Sequence, residues 1–196
     1  MKKTIIKTAL ITFAVLLTAT AITIGSICLF APATTCEFLQ NAGKYKSAMN
    51  FAVKAYEKEN SNKNLQTAVD LAILTSDSQN IVYYGEKMLA KVDLGEVSFT
   101  TDYVYHLAGK YSVALCENKN FEKAVKSAVK YSLGYGKLNP TESVILWGIN
   151  NSNNDLLQSL LTEINAFKQS FYDLLSGEAK QRLDNDIKNL TAYLNR

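Results

Sequence analysis

Residues 8–36 carry no charged side chain, and beyond them apolar positions return at steps of three and four. The stripe runs through Tyr45, Ala48, Met49, Ala52, Val53 and Tyr56, resumes at Leu65, Ala68, Val69, Ala72 and Ile73, and returns at Leu107, Tyr111, Ala114 and Leu115. That spacing places one apolar face along an α-helix, whose period is about 3.6 residues. No alternation of period two stands out, so no strand is expected. Breaks rich in Asn, Ser, Gly and Lys fall at 59–64, 76–78, 92–98, 118–120, 134–139 and 150–154. Such lengths suit turns between antiparallel helices. Both prolines, Pro32 and Pro140, sit at boundaries. Beyond residue 33 the pattern predicts an all-α chain of roughly eight or nine helices, mostly about 12–20 residues long.

The uncharged run is different in kind. Residues 8–30 are 23 positions dominated by Ile, Leu, Ala, Val and Phe, and a helix of about 20 residues crosses a ~30 Å hydrocarbon layer. The run exceeds the ~7–15 residues of a secretory signal's apolar core, so residues 8–31 are expected to form a transmembrane helix or retained signal anchor. Ala31-Pro32-Ala33 has the small-x-small form that signal peptidase cuts; cleavage after Ala33 would instead yield a secreted protein. Lys2, Lys3 and Lys7 precede the run, which makes residues 1–7 a cytoplasmic tail and everything beyond Ala33 extracytoplasmic. Thr8, Thr12, Ala19, Thr23 and Ser26 share one stripe of the run. Small and hydroxyl residues of this kind let membrane helices pair, and are also simply tolerated there.

A repeated design underlies the helical part. Gly43, Tyr45, Ala48, Ala52 and Ala55 mark a turn followed by a helix with alanines about one turn apart, and Asn120, Phe121, Ala124, Ala128 and Tyr131 restate it. Residues 77–89 repeat it more loosely, with Ile81, Gly85 and Met88, and 154–160 more loosely still, with Leu156. The equivalent positions Ala48, Ile81, Ala124 and Leu156 are spaced 33, 43 and 32 residues apart, and the long interval holds an added segment, 91–99. Small residues at these points let two helices cross at the short end of the usual ~8–10 Å range.

The Gly-x-Tyr/Phe-x-x-Ala-x-x-x-Ala second helices resemble the tetratricopeptide repeat, a helix–turn–helix unit of about 34 residues. The resemblance extends over about residues 34–167; the first helices mostly lack the family's Trp-x-x-Leu-Gly-x-x-Tyr pattern, and no repeat ends in its proline. It implies an α-solenoid of stacked antiparallel hairpins over 34–175, curved so that the first helices line a groove. In the family, groove contacts come from exposed positions on those first helices. Carried to the second and third units here, they are Lys63, Gln66, Asp70, His106, Lys110 and Glu117. After residue 175 the pattern narrows to Leu183, Ile187, Leu190 and Leu194 on a helix otherwise polar, with Ser176 placed to cap it and Glu178 in its first turn. A stacked array needs such a polar-backed capping helix, here 176–196, over its last apolar face.

Charge and chemistry narrow the function classes. The net charge is +3, but beyond Ala33 the chain has 18 Lys/Arg against 18 Asp/Glu. The excess is therefore Lys2, Lys3 and Lys7, a topology signal rather than a nucleic-acid footprint. Lys123, Lys126 and Lys130 share a helix face, with Lys119 and Lys137 close by. Anionic lipid or wall polymer would suit them, but Glu117 and Glu122 dilute the row and it reads as a solvated face. Cys28 lies in the apolar run, and whether Cys36 and Cys116 pair stays open. There is no CxxC and only one histidine, so neither metal nor cofactor is expected. His106, in the cluster Tyr103, Tyr105 and Leu107, lacks an evident nucleophile to activate, and no catalytic residues are assigned. The sequons at Asn150 and Asn189 are short enough to arise by chance. Heavy use of Lys, Asn, Ile and Tyr with two arginines suits an AT-rich bacterium. Eleven tyrosines and eight phenylalanines mostly fall on core faces; those facing a groove would anchor a partner.

The expectation is a single-pass membrane protein whose exported all-α domain binds a peptide or protein near the membrane, and which is not itself an enzyme. The alternative is a subunit, catalytic or not, of a cell-envelope enzyme or assembly complex.

Overall fold

The computed structural model describes residues 31–134 and 139–196, together with 13, 16–18, 20, 25 and 26. Most of the expected membrane segment 8–31 therefore lies outside the described residues, as do Cys28 and Lys137. Among the described residues no helix is long and apolar enough to cross a membrane. Those of the apolar run are helical, and Phe13, Leu16 and Leu17 are all more than half exposed.

Every described element is helical. The order is α1 Pro32–Asn41, α2 Tyr45–Lys58, α3 Asn62–Thr75, α4 Ser78–Asp93, α5 Thr101–Glu117, α6 Phe121–Gly134, α7 Asn139–Asn150, α8 Asn154–Phe171, a 3-10 turn Tyr172–Leu174, and α9 Gly177–Leu194. The breaks fall where the polar stretches lie, with two differences; residues 135–138 of the break expected over 134–139 lie outside the described residues. The turn expected over 59–64 is shorter, because Asn64 joins α3 and its amide donates to the carbonyls of Ala55 (3.1 Å) and Glu59 (3.2 Å) at the end of α2. The break expected over 92–98 moves to 94–100, because Thr100 caps α5 by accepting from the Tyr103 amide.

One turn recurs through the chain. Gly43, Ser76, Lys119 and Ser152 all have φ between 51° and 70°, and each follows a first helix of a pair (α1, α3, α5, α7). In each case the left-handed residue's N–H bonds the carbonyl three back, and the next N–H bonds the carbonyl five back: Ser76 to Ile73 and Asp77 to Ala72, Lys119 to Cys116 and Asn120 to Leu115. This double closure satisfies helix-end carbonyls that otherwise lack donors. Between these first-helix turns the intervals are 33, 43 and 33 residues; the same double closure also ends α4, at Gly95 (φ 71°), within the long interval. Five residues past each turn stand Ala48, Ile81, Ala124 and Leu157, all buried. The fourth equivalent is thus Leu157, one residue beyond the Leu156 that sequence alignment selects.

By contact the chain divides into two compact units, 1–71 and 72–196, the division falling within α3. In the first, α1 packs on α2, burying Cys36, Ala48, Met49, Ala52 and Ala55. In the second, α5 packs against α4, α6 and α7. Ten of its 17 residues are buried, among them Tyr105, Leu107, Ala108 and Leu115, as befits a helix enclosed on most sides. Ala124 and Ala128 are fully buried on α6. Gly148 lets α7 approach α8, since a methyl group there would stand 2.6 Å from Leu157 Cδ2.

The end of the second unit is closed by α9 on α8. Ser176 caps it, accepting from the Ala179 amide at 3.3 Å, and Leu183 and Leu190 are almost wholly buried. On α8, Leu157, Leu160, Leu161 and Ile164 are all buried. Ile187 and Leu194, expected in the same stripe, are only half-buried. Full burial is worth about 1.5–3 kcal/mol per leucine, so the two buried leucines contribute roughly 3–6 kcal/mol before entropy costs. Lys168 and Tyr172 fasten the same contact by donating to Asp184 at 2.6 and 2.7 Å.

Candidate functional site

The first helices carry a cavity in each unit. In the second unit it measures about 410 Å³ and lies between α5 and α7, lined by Asp102, Tyr105, His106, Gly109, Lys110, Val113 and Ser143. Helical spacing explains the grouping: Asp102, His106 and Lys110 are four residues apart and share one exposed stripe of α5. Gly109 sets how closely α7 approaches, for a Cβ there would stand 3.1 Å from Ser143 Oγ. In the first unit a cavity of about 250 Å³ is lined by Ala33, Cys36, Glu37 and Gln40 from α1, Ala52 and Ala55 from α2, and Lys63, Asn64 and Thr67 from α3. The Lys63 ammonium stands 3.9 Å from Glu37, both side chains largely exposed.

The recurring turn relates these cavities residue by residue. Lys63 and His106 each stand thirteen residues before the left-handed residue of their pair, and Thr67, Lys110 and Ser143 each stand nine before it. The six expected groove residues therefore do not share one register. Lys63 lines one cavity, and His106 and Lys110 line the other. Gln66 is half-buried and Asp70 exposed on α3, and Glu117 is exposed at the last position of α5; none of these three lines either cavity. Asn64, Thr67 and Ser143 take places that sequence reasoning missed. Their signal was available in the turn register, but Ser76, Lys119 and Ser152 give no sequence cue for a left-handed turn.

Cys36 and Cys116 are free and buried. Burial, with Glu117 adding repulsion, pushes the Cys116 thiol up to about 12, and burial and Glu37 push Cys36 upward as well. Both thiols thus stay protonated and unreactive at neutral pH. Among the described residues no three His, Cys, Asp or Glu side chains gather as a metal site would require.

A larger groove, about 550 Å³, opens on the second helices between α4 and α6, with Tyr111 of α5 also lining it. The lysine row that reads as a solvated face in sequence forms one wall. Lys123 donates to Glu86 at 2.7 Å and Lys130 to Asp93 at 2.5 Å, both across the groove, while Lys126 turns along its own helix to Glu122 at 2.7 Å. The Tyr131 hydroxyl also donates to Asp93, at 2.9 Å. The cross-groove partners lie 37 residues apart, beyond the reach of any helical-periodicity argument. Hydrogen bonding to Glu86 holds the Lys123 ammonium above its ordinary pKa, and hydrogen bonding from Lys126 holds Glu122 below its own.

No protein-family model matches this chain, no curated protein matches it in sequence, and no solved structure matches it in fold.

Proposed function

We propose that the chain is a membrane-anchored binding module of tetratricopeptide-like design. Its first helices hold an extended peptide or protein segment outside the cytoplasmic face. The observation that carries this reading is the recurrence of one turn after α1, α3, α5 and α7. It gives Lys63 and His106 the same place in successive first helices, each at the edge of a cavity. Repetition of a turn and of buried positions five residues beyond it is the way a helical repeat gives successive first helices equivalent side chains. The cavity's polar wall of Asp102, His106, Lys110 and Ser143 offers polar groups for a peptide backbone.

The anchor rests on the uncharged run behind three lysines. Exposed Phe13, Leu16 and Leu17 are what a lipid-facing surface requires, since patches of this kind in water mark an interaction site. Retention is favoured over cleavage by the start of α1. Pro32 is buried at its first turn, and the Ala31 carbonyl accepts from both the amide and the hydroxyl of Thr35, each at 3.1 Å. A cut after Ala33 would remove that turn.

A photo-crosslinking residue at position 106, in membranes of the source cell, tests the reading. It should yield one discrete protein adduct, lost when Lys110→Ala is added, while the same probe at exposed Asn185 on α9 yields none. Equal labelling from both positions would overturn it. A reporter fused to the C-terminus and active only outside the cytoplasm tests the topology; an inactive fusion refutes the anchor's orientation.

A further inference from the structure

We propose that the groove between α4 and α6 is a second binding site, which takes a single glutamate or aspartate side chain from an extended segment of a partner protein. It lies on the second helices, apart from the first-helix cavities, and does not depend on their function.

The argument is a missing rung. Lys123 faces Glu86 and Lys130 faces Asp93, both at an offset of 37 residues. Counted from Lys126 the same offset falls on Leu89, an apolar residue that offers no carboxylate, is 2% exposed and lines the groove. Among the lysines lining the groove, Lys126 is the one not tied across it. Its partner Glu122 lies one turn back on its own helix, and both side chains are more than 60% exposed. Such a pair exchanges readily for a carboxylate seated in better geometry. The next residue, Ser127, is 9% exposed, lines the same groove, and its hydroxyl has no hydrogen-bond partner. A guest carboxylate at Lys126 would thus meet an ammonium, with the unused Ser127 hydroxyl just beneath the groove surface and Leu89 as its apolar wall.

The framing rungs define the guest further. They stand seven residues apart along each helix, roughly 10 Å at 1.5 Å per residue. An extended chain advances about 3.3 Å per residue, so about three of its residues span the window. Glu86 and Asp93 edge both ends with their lysines already paired, and Glu122, displaced from Lys126, stands in the same groove and repels further negative charge. The groove therefore selects one acid flanked by uncharged or basic residues, not an acidic tract. Its opening accompanies the longest interval between first-helix turns, 43 residues against 33, which holds the added turn at Gly95; at the next step, where the interval is 33, α6 packs directly on α8.

An NMR titration of the full chain in detergent tests this with two probe peptides, acetyl-Ala-Leu-Glu-Leu-Ala-amide and its glutamine counterpart. The glutamate peptide should shift signals of residues 86–93 and 123–130 and bind about fivefold tighter or more than the glutamine peptide. Lys126→Gln should abolish the difference while leaving the melting temperature unchanged. The triple variant Lys63→Ala, His106→Ala, Lys110→Ala should keep the response, which separates this site from the first-helix cavities. Equal affinity for the two peptides, a preference that survives Lys126→Gln, or shifts confined to 102–113 would overturn the proposal. So would a response to phosphatidylglycerol vesicles without one to the glutamate peptide, which would assign the lysine to lipid.

Discussion

Replacing Asp186 with asparagine should stabilise the protein at neutral pH and do nothing in acid. Asp186 lies on the inward side of α9, half-buried, with Oδ2 shielded and without a hydrogen-bond partner. Burial, with Glu142 in the first turn of α7 adding repulsion, pushes its carboxyl from 3.8 up to about 6. Two pH units correspond to about 3 kcal/mol at 1.36 kcal/mol per unit. Because the group is only half-buried, solvent screening reduces this to about 1–2 kcal/mol. The sign follows from linkage: a carboxyl that binds its proton more tightly in the folded state costs nothing below its unfolded value. The cost grows between roughly pH 4 and 6 and is complete above that. Asp184, two residues away, works in the opposite direction. Hydrogen bonds from Lys168 and Tyr172 hold its pKa down, so its contribution is lost in acid. The quantity to read is therefore the difference between Asp186→Asn and the parent, which cancels Asp184 and every other common group. Thermal melts of both chains from pH 4 to 7.5, followed by circular dichroism, should show the variant about 3–6 °C higher at pH 7. The curves should converge near pH 4. A difference that does not vary with pH, or a variant less stable at pH 7, refutes the account of a buried unpaired carboxylate.

Three further outcomes follow from the packing. Ala124→Leu, at a fully buried crossing on α6, should cost about 1–3 kcal/mol, whereas Lys126→Gln on the same helix should change a denaturant midpoint by less than about 0.5 kcal/mol. Gly148→Ala drives a methyl group into Leu157, whose Cγ and Cδ2 would stand at 2.9 and 2.6 Å; a loss of about 1–3 kcal/mol is expected, and a neutral result in urea titration would mean α7 and α8 part freely. Lys119→Gly relieves a non-glycine residue held at φ 59° and should raise stability by about 0.5–1 kcal/mol, while Lys119→Ala should give no such gain in the same melts.

Much of the molecule is legible along the chain. The 3.6-residue stripe marks the helices because each needs only one apolar face, and the helix breaks coincide with Asn, Ser and Gly runs that favour turns over helix interiors. The burial of Ala48, Ala124 and Ala128 was visible because small residues one turn apart have little reason to recur except at a close crossing. Less legible was the register. A helix turns 100° per residue, so the one-residue slip from Leu156 to Leu157 changes which residue faces its neighbour. Leu156, Leu157, Leu160 and Leu161 offer equally apolar choices. Gln66, Asp70 and Glu117 likewise fall outside the two first-helix cavities, because the position of the turn decides which exposed side chains share a face.

The sequence alone determined an all-helical chain, its turns, its repeated small-residue crossings, a polar-backed last helix, and an uncharged run behind three lysines. These are local properties, set by dihedral preference and by apolar periodicity within a single helix. Only the tertiary structure decided that Lys123 and Lys130 bridge to Glu86 and Asp93 while Lys126 turns along its own helix to Glu122. It alone set Asp186 against Glu142 and placed Gly148 on Leu157. Those outcomes depend on the rotation and separation of helices that are distant in sequence. Packing of whole faces fixes that geometry, and no single stretch of residues encodes it.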